Sequence, residues 1–487
     1  MRSRAFILDR RNSWLRNADY LAYLVLVTGV LFARYANWAY DDPYIAYRYV
    51  HNLISGAGFV YNPGERILST TTPLYVLVLA ALTPLPVDLP HLSNLVGAFC
   101  LACGGLLLWD LARSWDAPVA GWVSLILYPG FPLLTATLGS EMPLYLALCL
   151  GSLAGYARQQ YSLAAGFAAL ATLTRPDGLI LAMLLAAHYW ATNRKPLPWR
   201  SMAWFALITL PWVLFAWAYF GSPIPVTLAA KQHQGSMVIS QRFAAGLITT
   251  IGPYLRWPFF WLQLILVGIG LVYSFWAARR WILLWAWAGL YFAGYALLGV
   301  SRYFWYYAPL APGFIAAIGV GVMALHRGAG VLGRSASRAG YLLLGLAVVF
   351  LFLSQSQLMW RQASAGDLRY PVFRLVGEWL AANTPPDASV GMLEIGVIGY
   401  YADRPVVDFA GLVQPEVGLQ LRDSASYEGA ALWAMRRYRP DYLVLREKLF
   451  PSLEADYVAR YCRQVQQFPA SDSYPWSIAI YSCHSGN

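Results

Sequence analysis

Residues 18–49 read ADYLAYLVLVTGVLFARYANWAYDDPYIAYRY, and this stretch decides the fold. An apolar run from Ala18 to Ala36 is close to the roughly 20 residues that cross a bilayer as a helix. It ends in an aromatic edge and leads directly into two adjoining aspartates, Asp41 and Asp42. Before it stand Arg2, Arg4, Arg10, Arg11 and Arg16, which resembles a signal peptide. The run is long and lacks a small-residue cleavage site, so it reads as an uncleaved first span with a cytoplasmic N-terminus.

Composition extends this reading to the whole chain. The 487 residues are 59% hydrophobic and 12% charged, with a mean hydropathy of +0.47. A soluble domain carries about 25% charged residues. Eleven spans are predicted, near 18–36, 89–112, 117–137, 142–157, 161–174, 177–192, 201–220, 257–277, 282–300, 306–325 and 339–359. With the N-terminus inside, the short inner segments hold 15 Lys/Arg in 49 residues, and the outer loops 7 in 104. That asymmetry is the positive-inside signature. It also accounts for the net charge of +11, which therefore reports topology and no nucleic-acid partner. An odd span count places residues 360–487 outside, in an integral inner (plasma) membrane protein.

The predicted organisation is a transmembrane domain over 1–359 and an extracytoplasmic soluble α/β domain over 360–487. The outer loop 37–88 contains two apolar segments, 43–55 and 73–82, read as helices lying at the interface. Tyr44, Tyr47, Tyr49, Tyr61 and Tyr75 are placed with them at headgroup level. A second long outer loop covers 221–256. In the tail, 371–383 reads as an amphipathic helix, and 388–393, 404–408, 441–446 and 475–482 as strands. Cys100, Cys103 and Cys149 lie in apolar spans and read as packing residues. Cys462 and Cys483, both in the tail, are either a disulfide or two free thiols.

Chemistry is sought among charges that oppose the pattern. Asp41, Asp42, Glu65, Asp88, Glu141 and Asp177 lie on the outer side. Carboxylates beside a bilayer are functional candidates, against the plainer role of capping a helix. Capping is preferred for Asp88, a turn role for Glu65, and chemistry for Asp41 and Asp42. Such a pair suits a general base that takes the proton of a hydroxyl, the neighbouring carboxylate raising its pKa. Alternatively Asp42 and Glu141 hold a divalent cation, Mg²⁺ or Mn²⁺, through hard oxygen ligands.

Outer basic residues Arg175, Lys231, Arg242, Arg256 and Arg302 are candidate partners of a leaving phosphate. Arg302 leads because it sits in the aromatic turn Ser301-Arg302-Tyr303-Phe304-Trp305-Tyr306-Tyr307. Tyr44, Arg48 and Tyr306 are further candidates for substrate contact. His51 and His233 stand alone and read as ordinary polar residues. The chain has no HExxH, Gly-rich phosphate loop or GxSxG, so nucleotide and serine-hydrolase chemistries have no motif.

The run Asp41-Asp42-Pro43-Tyr44-Ile45 with Arg48-Tyr49, followed by GAGFVYNPGER at 56–66, resembles the first-loop signature of polytopic GT-C glycosyltransferases. It is similar to the family containing the cell-wall terminal β-arabinofuranosyltransferases. Glu141 falls in a segment like that family's second-loop motif. Arg175-Pro176-Asp177-Gly178 resembles its RPDG, and RPVVDFAGLV at 404–413 its tail motif. The resemblance implies a GT-C-like membrane domain with an outer active site, a polyprenyl-phosphate sugar donor and inversion at the sugar carbon. It implies that Asp41 and Asp42 are the catalytic pair, with Asp41 expected to take the acceptor proton and Asp42 and Glu141 to orient the substrate or hold a cation. Ser69-Thr70-Thr71-Thr72-Pro73 departs from the family pattern, so neither a pentosyl nor a hexosyl donor is singled out. The expected acceptor is a hydroxyl of a glycan, lipid or protein. The rival readings are a polytopic transporter or lipid flippase, which the lack of an internal repeat disfavours, and a non-catalytic envelope scaffold.

Overall fold

In the computed structural model, residues 2–237, 240–331, 334–421, 426–472 and 474–483 are described. Residues 238–239 and 332–333 lie outside that set. The helices of the first half are α1 (Arg2–Tyr35), α2 (Pro43–Ile54), α3 (Pro73–Leu82), α4 (Leu89–Ser114), α5 (Pro118–Leu127), α6 (Pro132–Thr135), α7 (Met142–Ala157), α8 (Tyr161–Thr174), α9 (Gly178–Asn193) and α10 (Trp199–Phe220). There follow α11 (Thr227–Ser236), α12 (Phe243–Ile251), α13 (Pro258–Ala277), α14 (Ile282–Leu298), α15 (Ala311–Gly330) and α16 (Arg334–Ala365).

Among the described residues, seven helical segments are long and apolar enough to cross a membrane. The expected crossings near 142–157 and 161–174 are shorter apolar helices. The expected crossing at 117–137 is broken into α5 and α6 around Pro129, Gly130 and Pro132, because proline lacks the N–H that continues a helix. Close approach of backbones holds the bundle. Gly270 of α13 lies against Ala317 of α15, and Gly321 of α15 against Leu266 of α13, with no space for a side chain at either. Small residues do this work in membrane helices, where apolar burial alone gives little drive.

Helices α2 and α3 fall where the sequence places them. The tyrosines expected there are packed inside the protein. Tyr44, Tyr47, Tyr49, Tyr61 and Tyr75 are each 2% exposed or less. Tyr47 and Tyr75 hydroxyls donate to the Gly139 carbonyl, at 2.5 and 3.0 Å. Tyr61 donates to the Ile395 carbonyl at 2.6 Å. A buried phenol needs such a partner, and the segment before α7 and the tail supply it.

The tail begins with α17 (Tyr370–Asn383) and continues through β1 (Val390–Met392), α18 (Val397–Ala402), β2 (Val406–Asp408), α19 (Pro415–Gln420), α20 (Glu428–Tyr438), β3 (Tyr442–Arg446), β4 (Cys462–Phe468) and β5 (Ile478–Cys483). The sheet order is β2-β1-β3-β5-β4. β1 pairs in parallel with β2 and β3, and β5 pairs antiparallel with β3 and β4. Four of these strands match predicted ones. β4 was not foreseen, because RQVQQ has no apolar alternation and its residues are largely exposed. Cys462 and Cys483 face each other across β4 and β5 and form a disulfide.

The tail is docked on the first outer loop through backbone groups. Arg48, 2% exposed, donates to the carbonyls of Tyr61 (2.9 Å), Arg404 (2.6 Å) and Gly399. Asn62 pairs with Val406 in both directions, at 2.9 and 3.0 Å. These bonds fix where β2 and the loop after it come to rest.

Candidate active site

Three carboxylates stand at the N-cap positions of helices that carry Pro or Gly in their first turn: Asp42 before Pro43, Glu141 before Met142-Pro143, and Asp177 before Gly178. None makes a side-chain capping bond. By contrast Asp88 accepts from the His91 backbone N–H at 2.9 Å, the ordinary capping role expected of it. Glu65 accepts from Asn62 within its turn at 3.1 Å. The uncapped trio instead faces one cavity.

That cavity has a volume of about 360 Å³ and is lined by Asp42, Glu141, Arg175, Asp177, Lys231 and Tyr306, together with Thr70–Thr72, Tyr295, Trp305, Leu412 and Val413. The size lies within the range of small-molecule sites. Contributions come from α2, the α3 approach, the ends of α7, α8 and α9, α11, α14, the aromatic turn and the tail.

One side of the cavity is a closed ionic network. Arg175 Nη1 donates to Glu141 Oε1 at 2.6 Å, and its Nε and Nη2 both donate to Asp177 Oδ2 at 3.2 Å. Tyr295 accepts from Arg175 Nη2 and donates to Asp177 Oδ2, each at 2.7 Å. The side chains of Arg175, Glu141 and Asp177 are 7%, 12% and 8% exposed. Arg175 is thus matched by two carboxylates, which fixes the orientation of Glu141 and uses the guanidinium internally.

The opposite side holds Lys231. Among the described residues its ammonium has no carboxylate within ion-pair distance. It lies 5.4 Å from the Tyr306 ring centre and 5.7 Å from that of Tyr303. Burial opposes its charge, but facing Tyr306 and Asp42 outweigh this and hold the ammonium above the ordinary lysine range.

The other expected residues are placed elsewhere. The Asp41 carboxylate turns to the tail, where Oδ1 accepts the Val397 N–H at 2.8 Å, at the start of α18. Gly396, just before, lies so close on the Asp41 backbone that a Cβ has no room. Burial, with Glu394 nearby, pushes the Asp41 carboxyl up to about 7. Arg302 points away from the cavity: it bonds Gln241 Oε1 at 3.1 Å and packs its chain on Gly246. Its expected lead among phosphate partners is not met by its position. Its neighbour Ser301 is bridged to Arg242, which orients the turn so that Trp305 and Tyr306 face inward. Arg256 is exposed at the end of a 3-10 turn and does not line the cavity. Tyr44 packs on Tyr47, Tyr370, Tyr400 and Tyr401. Together with Arg48 it forms part of the tail-docking surface.

Sequence reasoning missed Tyr295, Leu412 and Val413. Tyr295 lies inside an apolar span without any local signal. The tail residues reach the cavity only through docking.

Among the described residues, no group of three or more His, Cys, Asp or Glu gathers to hold a metal. Glu141 Oε1 is also already bonded to Arg175. Asp42 and Glu141 therefore fit a divalent ion only where substrate oxygens complete its shell, the usual manner of Mg²⁺ at phosphate sites.

This arrangement of bundle, outer helices and tail is the GT-C fold. Two solved structures share it over nearly the whole chain. ArnT from Cupriavidus metallidurans bound to undecaprenyl phosphate superposes with a TM-score of 0.63 at 13% identity, covering 96% of this chain and 98% of that one. The Archaeoglobus fulgidus oligosaccharyltransferase AglB, in complex with an inhibitory peptide and a dolichol-phosphate, gives 0.59 at 14% identity, covering 97% and 75%. Residues 361–481 match a domain of unknown function, DUF8728. No curated protein matches the chain.

Proposed function

We propose that this chain is a membrane glycosyltransferase that moves a sugar from a polyprenyl-phosphate donor to a hydroxyl acceptor on the outer face of the membrane. The observation that carries the reading is the presence in one cavity, on this fold, of Asp42 and of Lys231, whose ammonium has no carboxylate within ion-pair distance among the described residues. The bound undecaprenyl phosphate of ArnT and dolichol-phosphate of AglB support a lipid-phosphate ligand.

In this mechanism the acceptor oxygen attacks the anomeric carbon while Asp42 takes its proton. The bond from that carbon to the phosphate oxygen breaks, and its electron pair leaves with the phosphate. Lys231 meets the charge that develops there, a charge-assisted contact in a site poor in water. Tyr306 and Trp305 flank the sugar and lipid phosphate, and Thr70–Thr72 offer hydroxyls to the sugar. Glu141, held by Arg175, orients the substrate. A divalent ion brought in with the lipid phosphate would be held by Asp42 and Glu141 and would help neutralise the charge on the leaving phosphate. Loss of transfer on chelation, restored by Mg²⁺ or Mn²⁺, tests that role.

In this reading the tail and the cavity lie on the extracytoplasmic side of the inner membrane. The basic inner loops support this, as does the Cys462–Cys483 disulfide, since such bonds persist in oxidising compartments. The proposed division is a membrane domain over 1–359 and a soluble domain over 360–487.

The deciding experiment reconstitutes purified protein in nanodiscs with a panel of pentosyl and hexosyl polyprenyl phosphates and follows sugar transfer. Transfer by the wild type that is lost in Asp42→Asn supports the reading. Full activity in folded Asp42→Asn removes the assigned base.

A further inference from the structure

The soluble tail reaches the cavity at one place only among the described residues, the turn after β2. Asp408 ends that strand, is fully buried, and lies outside the cavity lining. Its carboxylate accepts three backbone N–H groups: Ala410 to Oδ1 at 2.7 Å, and Leu412 and Val413 to Oδ2 at 2.5 and 3.0 Å. Its own N–H donates to Gln414 Oε1 at 2.9 Å, and Gln414 is 4% exposed. Gly411 takes a left-handed φ of +68° and lies directly on Gly418, where no side chain fits. Every backbone N–H from Asp408 to Val413 is thus bonded, and the tip of the turn presents Leu412 and Val413 to the cavity.

The same turn supports Lys231. It leads into α19, which packs on α11; a Cβ on Gly418 would stand 3.8 Å from the Ala230 Cβ. Ala230, 2% exposed, adjoins Lys231. Met237, just beyond α11, is 2% exposed and sits in the core of the tail with Phe409, Val417 and Leu421. The helix that carries the cavity's unmatched cation is thus seated on the soluble domain as well as on the membrane bundle.

We propose that Asp408 is a positioning residue, which fixes the turn that roofs the cavity and braces α11 so that Lys231 meets the donor phosphate. The inference rests on the lipid-phosphate reading of the cavity. An anionic side chain that accepts three N–H bonds holds a loop in one conformation. An amide at that place keeps the shape but offers one acceptor oxygen and turns an N–H against N–H donors.

The test measures binding of undecaprenyl phosphate to full-length protein in nanodiscs by tryptophan fluorescence, since Trp305 lines the cavity, together with kcat and KM for the donor. The variants are Asp408→Asn, Ala230→Leu, which wedges α11 from α19, and Asp441→Asn as control. Asp441 also bonds a tail backbone group, the Ser389 N–H at 2.8 Å, but does not line the cavity. Asp408→Asn and Ala230→Leu are expected to raise Kd and donor KM by about tenfold, with kcat changed by less than about threefold. Asp441→Asn is expected to leave Kd unchanged even where it lowers thermal stability. An unchanged Kd in folded Asp408→Asn overturns the assignment. If that variant does not fold, an unchanged Kd in Ala230→Leu does so. An equal rise in Asp441→Asn reduces the effect to general destabilisation and also overturns it. A wild type that binds no undecaprenyl phosphate defeats the donor reading itself, an outcome distinct from these.

Discussion

Arg175 Nη1 lies 2.6 Å from Glu141 Oε1, and this pair joins the start of α7 to the end of α8 at the wall of the cavity. Both side chains are nearly buried, and Asp177 and Tyr295 complete the network. A charge in such a place is tolerated only while its partners remain.

Removing one partner should therefore be worse than removing both charges. Arg175→Met leaves Glu141 and Asp177 facing each other without a cation and is expected to cost about 3–5 kcal/mol. Arg175→Met combined with Glu141→Gln should recover part of that loss. Thermal unfolding of the single and double variants in detergent measures the coupling, and strictly additive losses would refute the network.

The two adjoining aspartates should separate in function. Asp42→Asn is expected to lower transfer by about 10²–10⁴-fold, the usual contribution of a general base. Asp41→Asn keeps an oxygen for the Val397 N–H and is expected to stay within about tenfold of the wild type. Single-turnover rates with saturating donor distinguish the two. The reverse order of losses would move the base to Asp41.

Phosphate recognition should follow Lys231 and not the exposed arginines. Lys231→Ala forfeits a hydrogen bond to a charged group, about 1.5–3 kcal/mol, which weakens undecaprenyl phosphate binding by roughly 10–100-fold. Arg302→Ala and Arg256→Ala should bind as the wild type does. Direct binding measurements at fixed salt check this, and a loss in Arg302→Ala equal to that in Lys231→Ala contradicts it.

Asp41 also predicts a pH dependence of stability. Its carboxyl titrates near 7 when folded, against about 3.9 for an unfolded aspartate. Between these values the folded chain keeps a proton that the unfolded chain releases, so this residue's contribution falls as pH rises from about 4 to about 7 and then levels. Asp41→Asn lacks that slope. Its melting temperature should gain on the wild type between about pH 5 and pH 8. Parallel curves for the two proteins would contradict burial of the Asp41 carboxyl.

Much of this was legible without coordinates. Span-length apolar runs, basic inner loops and outer carboxylates are local or periodic signals, and they yield a polytopic membrane protein with its chemistry at one face. Pro43 after Asp42 and Pro143 after Glu141 mark helix starts, and they place these carboxylates at the starts of α2 and α7. Lys231 and Arg175 stood out because cations are scarce on the outer side.

What the sequence by itself determined is therefore a helical bundle, the carboxylates at its helix starts and the tail's α/β character, because hydrophobic period and charge asymmetry act over a few neighbouring residues. Only the tertiary structure decided the roles within that set. Adjacent residues such as Asp41 and Asp42 point to different sides of one turn, and Arg302 and Tyr306, four positions apart, face opposite ways. Tyr44 and Arg48 hold the tail because the groups they meet, Tyr400 and the Gly399 carbonyl, lie some 350 residues away. Which charge is matched and which is left for a ligand depends on such distant partners, and no local pattern encodes them.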